Sequence, residues 1–161
     1  MVTDEETMAD VISGLLCDMS DKVISVLFIE DVVSEQNSII HTISQSDLSS
    51  ELTIKTASSL TSGLEILRNN HIDVVLLDLD LPDSKGLKLV STILHEFPDI
   101  AIVVISGHSE EGIITEALMM GAEEFIIKGE SSGIMIKHTI QQALIRHRIH
   151  QKEKMEALAL A

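Results

Sequence analysis

Hydrophobic positions along the chain fall into two alternating patterns. Four short runs are almost wholly apolar: Val26-Leu27-Phe28-Ile29, Val74-Val75-Leu76-Leu77, Ala101-Ile102-Val103-Val104-Ile105 and Phe125-Ile126-Ile127. They are rich in β-branched residues and bounded by polar residues or Gly, as strands buried on both faces of a parallel sheet are. A fifth segment, Leu52-Thr53-Ile54-Lys55-Thr56-Ala57, alternates and predicts an edge strand. Between these runs the apolar spacing turns helical. Ile39, Ile40 and Ile43 mark a first helix, Leu60, Leu64 and Leu67 a second, Leu87, Val90 and Leu94 a third. Ile113, Ile114, Ala117 and Leu118 mark a fourth, and Ile136, Ile140, Ala143 and Leu144 a fifth. Strand and helix alternate five times, which implies βαβ units with helices on both faces of one sheet.

Two extensions flank this core. Met8, Val11, Ile12, Leu15, Leu16 and Met19 form one apolar stripe, and Thr3 with Glu6 has capping-box spacing, so an extra acidic amphipathic helix is predicted within residues 1–22. It would bury its stripe on the body, on the C-terminal helix or on a second subunit. The fifth helix meets no Gly or Pro through Arg146-His147-Arg148 to Ala161, so residues 149–161 read as a helical extension or linker. The body is then residues 23–148.

Composition adds three constraints. Trp and Tyr are absent and there are three Phe, so the core is aliphatic. The net charge is −15, yet residues 135–161 carry +3, leaving a strongly acidic body and a basic tail. Such a body repels a nucleic-acid backbone, so direct nucleic-acid binding is not expected. The single cysteine, Cys17, forms no internal disulfide and fits a reducing compartment. Apolar runs of about five residues are far short of the roughly 20 that span a bilayer. With an acidic N-terminus, unlike a secretory signal, a cytoplasmic location without membrane contact is expected.

In parallel α/β sheets, ligands bind beyond the carboxyl ends of the strands. Glu30 and Asp31 follow the first run, Asp78 and Asp80 the third strand, Ser106 and Gly107 the fourth, and Lys128 the fifth. Carboxylates crowded together do not all ionise without a cation, and oxygen-only donors suit Mg²⁺ (or Mn²⁺). An Asp can attack phosphorus covalently, and the transferred group then needs positive charge and hydrogen-bond donors, which Lys128 and Ser106 offer.

The stretches VLFIED, DVVLLDLDLPDSKGL, AIVVISGH and GAEEFIIKG resemble the receiver domains of bacterial two-component response regulators, over roughly residues 23–148. The resemblance implies a flavodoxin-like doubly wound sheet of five parallel strands in order 2-1-3-4-5. It implies phosphorelay signalling: Asp78 as phospho-acceptor, Glu30 and Asp31 as the acidic metal pair, and Asp80 lending a backbone carbonyl to the metal. Ser106 corresponds to the switch hydroxyl, Phe125 to the switch aromatic and Lys128 to the phosphate-binding lysine. Asp80 and His108 stand where the family tunes phosphate lifetime. The implied donor is a sensor histidine kinase or phosphotransfer protein. The implied target is a downstream protein or a C-terminal output domain, and a homodimer through the terminal helices or the fourth and fifth helices stays open. Regulation is expected, with only slow self-catalysed phosphorylation and dephosphorylation. The chain reads either as a stand-alone receiver or as the front of a longer protein. The sequence departs from the family at Lys128-Gly129, where Lys-Pro is usual. Two other readings stay open: a haloacid-dehalogenase-like phosphatase, suggested by Asp78-Leu79-Asp80, and a receiver-like scaffold that is not phosphorylated.

Overall fold

The computed structural model describes residues 23–45, 52–79, 81, 86–107 and 111–160. The expected N-terminal helix, Asp80 and His108 lie outside these residues.

Five strands form one parallel sheet: β1 (Ile24–Ile29), β2 (Leu52–Ala57), β3 (Val74–Asp78), β4 (Ala101–Ser106) and β5 (Glu124–Ile127). Their order is β2-β1-β3-β4-β5, as the resemblance implied. The helices between them are α1 (Val33–Ser44), α2 (Leu60–Asn69), α3 (Lys88–Glu96), α4 (Glu111–Met119) and α5 (Gly133–Ala159). Every residue of β3 and β4 is buried, which accounts for their unbroken apolar runs. β2 lies at an edge, and apart from Ala57 its residues are half-buried or exposed, matching its alternating sequence.

Because strand side chains alternate between faces, the apolar runs feed two separate cores. Leu27, Ile29, Val75, Leu77, Ile102 and Val104 pack with Leu60 and Leu67 of α2, Leu89, Val90 and Ile93 of α3, and Ala117 of α4. Val26, Phe28, Val74, Leu76, Val103 and Ile105 pack with Ile43 of α1 and with Ile136, Ile140, Ala143 and Leu144 of α5. Leu118, one of the residues that mark the fourth helix, is 43% exposed at the end of α4. The chain turns there into β5, and Ala117 alone of that pair reaches the core.

Helix starts follow their local sequence. Ser59 caps α2 in a reciprocal box with Ser62, and Ser132 caps α5 by accepting from the Met135 amide. α1 begins differently. Its cap residue is Val32, without a side-chain cap, and the buried Gln36 amide instead donates to the carbonyls of Glu30 and Ala57. That pair of bonds ties the first turn of α1 to the ends of β1 and β2.

The basic stretch of α5 is latched to the amino end of the sheet. Arg146 reaches Glu124 at 2.7 Å, Gln151 reaches the Asp99 carbonyl at 3.0 Å, and Arg148 stands 3.8 Å from Asp73. His147 sits between Glu123 Oε1, at 3.1 Å from Nδ1, and the Asp99 carbonyl, which faces Nε2. Both partners are acceptors, so the imidazolium form satisfies both bonds. The hydrogen bond to Glu123 holds the His147 pKa above its ordinary value despite burial. Burial pushes the Glu123 carboxyl up, but His147, His150 and Arg146 outweigh it and hold that carboxyl below the usual range.

A raised histidine pKa stabilises the fold fully below the unfolded value of about 6.5, and that stabilisation disappears as pH rises through the folded value. A lowered carboxylate pKa stabilises above about 4.3, and its contribution disappears as pH falls through the folded value. The latch is therefore strongest between those limits. Wild-type unfolding free energy should fall by on the order of 1 kcal/mol between pH 6 and pH 8.5 through this group. His147→Gln should make that slope shallower in urea denaturation, leaving the part that comes from Glu30, whose carboxyl is pushed up to about 7; an unchanged slope would place the titration elsewhere.

Beyond His150 nearly every residue of α5 is exposed, including Met155 (71%) and Leu158 (68%). Among the described residues no helix is long and apolar enough to cross a membrane.

Candidate functional site

Register brings the acidic residues together. Ile29 pairs with Leu77 across β1 and β3, so Glu30 and Asp78, the next residues, leave adjacent strands side by side. Asp78 pairs with Ile105, which puts Ser106 one residue further along β4. Ser106 pairs with Ile127, and its carbonyl accepts from the Lys128 amide at 2.9 Å. All of these residues lie at the carboxyl end of one sheet.

Glu30, Asp31 and Asp78 each offer a carboxylate oxygen, and these oxygens lie within 4.8 Å of one another. Glu30 is fully buried, Asp78 is 3% exposed and Asp31 is half-buried. Lys128, whose side chain is 20% exposed, reaches over from β5. Its Nζ stands 2.6 Å from Glu30 Oε2, 2.7 Å from Glu35 Oε2 and 3.4 Å from Asp78 Oδ2.

The electrostatics follow from this crowding. Burial and the neighbouring Asp78 push the Glu30 carboxyl up to about 7, with Lys128 and the Val32 amide opposing. Burial opposes the charge on Lys128, but its bonds to Glu30 and Glu35 and the field of Asp78 prevail, so its pKa lies above the lysine range. The bond from Lys128 holds the Glu35 carboxyl below its ordinary value. One ammonium thus faces three carboxylates, Glu30, Glu35 and Asp78, with Asp31 a fourth beside Glu30 and Asp78. The residual negative charge, an oxygen-only donor set and three converging oxygens fit a hard divalent cation.

Ser106 is fully buried at the end of β4. Phe125 is half-buried and packs against the core shared by α2, α3 and α4. After Lys128 the chain turns through Gly129 at φ 81°, a left-handed conformation that a proline could not take. The departure from Lys-Pro therefore has its own backbone path here.

Glu35 and Gln36 escaped the sequence reading. Glu35 lies four residues after Asp31, on the first turn of the helix that follows β1. That spacing was available as a signal, but its meaning depends on Lys128, 93 residues away.

Residues 26–140 match the family model of the response regulator receiver domain. The chain belongs to that family. Such receiver domains are regulatory modules of two-component signal transduction. Relatives include the transcriptional regulatory protein MalR of Bacillus subtilis, 39% identical over 72 residues, covering 45% of this chain and 31% of that protein. Another is the transcriptional regulatory protein KdpE of Staphylococcus aureus, 34% identical over 97 residues, covering 60% of this chain and 42% of that protein. The receiver thus aligns with less than half the length of these curated relatives. Among solved structures, a CheY-like receiver domain from Methanospirillum hungatei superposes with a TM-score of 0.65 at 19% identity, covering 80% of this chain and 99% of that one. NtrX from Brucella abortus superposes with a TM-score of 0.71 at 23% identity, covering 83% of this chain and 29% of that one. At these identities the structural matches speak to the fold.

Proposed function

We propose that this receiver domain accepts a phosphoryl group on Asp78, with Glu30, Asp31 and Asp78 holding Mg²⁺ (or Mn²⁺). The observation that carries this reading is the Lys128 ammonium 3.4 Å from Asp78 Oδ2, beside the three converging carboxylates. When bound, the metal would offset the negative charge of the incoming phosphoryl oxygens and of the acidic cluster. The remaining work belongs to the chain. A carboxylate oxygen of Asp78 forms the bond to phosphorus while the donor's bond to phosphorus breaks. The bonding pair leaves with the donor, an imidazole or a carboxylate. Lys128 supplies positive charge to the phosphoryl oxygens, and Ser106 donates a hydrogen bond once its hydroxyl turns toward them. That movement vacates space for Phe125 to shift inward, which changes the surface of α4 and α5 as a population shift between two packings.

The donor in this reading is a sensor histidine kinase or phosphotransfer protein in the cytoplasm, and the recipient of the signal is a downstream protein or an output domain. Residues 23–148 act as the switch, and the exposed end of α5 serves as a linker or a pairing surface. The hydrolase alternative has no supporting observation, because Asp78 closes the third strand rather than the first. Mass spectrometry after acetyl phosphate treatment with Mg²⁺ tests the reading. One added phosphoryl group, mapped to Asp78, is expected. Incorporation at another residue, or none, refutes it.

A further inference from the structure

Lys128 is held by more carboxylates than the proposed transfer needs. An ammonium has three donors, and two are committed at 2.6 and 2.7 Å to Glu30 and Glu35. Asp78, the proposed acceptor, is the looser contact at 3.4 Å. The two close partners differ in kind. Glu30 is buried within the carboxylate trio. Glu35 stands outside that trio on the rim, with its side chain 45% exposed.

Glu35 is not there as a chance surface rotamer. Its neighbour Gln36 is buried and ties the start of α1 to the Glu30 and Ala57 carbonyls. That bond sets the rotation of α1 about its axis, and with it the direction of Glu35. A carboxylate in the first turn also gains from the helix dipole, which favours its charged form there.

We propose that Glu35 is a positioning residue for Lys128: it competes with the phosphoryl group for the ammonium and so restrains phosphoryl acceptance at Asp78. This rests on the reading of Asp78 as the acceptor. As the Asp78–phosphorus bond forms and the donor bond breaks, negative charge sits on oxygens that Lys128 must meet. Besides the donor already facing Asp78, the one it can redirect is the one given to Glu35, since releasing the Glu30 contact would strand a buried carboxylate.

The test compares the full chain with Glu35→Gln and Glu35→Asp, at saturating Mg²⁺, by initial rate of phosphoryl uptake from acetyl phosphate. Glu35→Gln removes the charge and should accept the group about three- to tenfold faster, the range of one partly solvated charge-assisted bond. Glu35→Asp keeps the charge but is one methylene too short to bridge, so its rate should lie within about twofold of Glu35→Gln. A second readout needs no metal and no phosphate: reductive methylation of Lys128 with labelled formaldehyde in the metal-free protein, which should speed up in both variants. A Glu35→Gln rate at or below wild type overturns the proposal. So does a Glu35→Asp rate equal to wild type, which would mean a general field effect, and so does unchanged Lys128 labelling. A wild-type chain that takes no phosphoryl group on Asp78 instead overturns the reading of the site, while the labelling still decides whether Glu35 holds Lys128.

Discussion

Asp78→Asn is expected to cut phosphoryl uptake from acetyl phosphate by at least about a hundredfold, to the background of other surface carboxylates. The amide matches the carboxylate in shape but has no nucleophilic oxygen and no charge to offer a metal. The same change should stabilise the metal-free protein. Asp78 is 3% exposed beside a fully buried Glu30. Asp78 is one of the groups that push the Glu30 carboxyl up, so removing its charge relieves that strain, for a gain of about 1 kcal/mol in urea denaturation. Mg²⁺ should raise the melting temperature of the wild type and do so much less for the variant, since a ligand stabilises only the form that binds it. A loss of function with a gain of stability separates a chemical role from misfolding. Unchanged uptake by Asp78→Asn would end the phospho-acceptor reading.

Gly133→Ala should destabilise the fold by roughly 2–4 kcal/mol, although alanine is the better helix former. A Cβ at position 133 would lie 1.9 Å from the Thr42 carbonyl oxygen, on the last turn of α1. The Thr42 oxygen is backbone and a Cβ is fixed in place by its own Cα, so neither can swing aside. The two helices would have to part by about 1 Å over a close-packed core. They cover Ile43, Ile136 and Ile140, all buried against the sheet. Gly112 in α4 provides the control, because among the described residues a Cβ there meets nothing within 4 Å. Gly112→Ala should be neutral or stabilising by up to about 1 kcal/mol. Equal urea midpoints for the two variants would mean that α1 and α5 do not touch at Gly133.

The body of the fold was legible along the chain because burial on both faces leaves an unmistakable record. Val74–Leu77 and Ala101–Ile105 have no polar position to spare, and the edge strand Leu52–Ala57 betrays itself by alternating. The helical stripes at Leu60, Leu64 and Leu67 and at Ile136, Ile140 and Ala143 read equally well, since each faces one core. Leu118 lies in its helix yet stays exposed, because apolar identity states what a residue could bury and not whether a turn carries it outward. Glycine gave no hint of its two uses. Gly112 and Gly133 look alike in sequence, and only the approach of α1 distinguishes them.

The sequence by itself determined the alternation of strand and helix, the aliphatic core, and the presence of carboxylates, a hydroxyl and a lysine just past the strand ends. Those features are local: each depends on residues within a few positions of one another. The tertiary structure alone decided which of these groups meet. It set Lys128 closer to Glu30 and Glu35 than to Asp78, drew the Glu30 carboxyl up to about 7 by burying it, and closed Gly133 onto Thr42. The physical reason is that electrostatic and steric energies depend on distances through space between residues far apart in the chain, which no local pattern encodes.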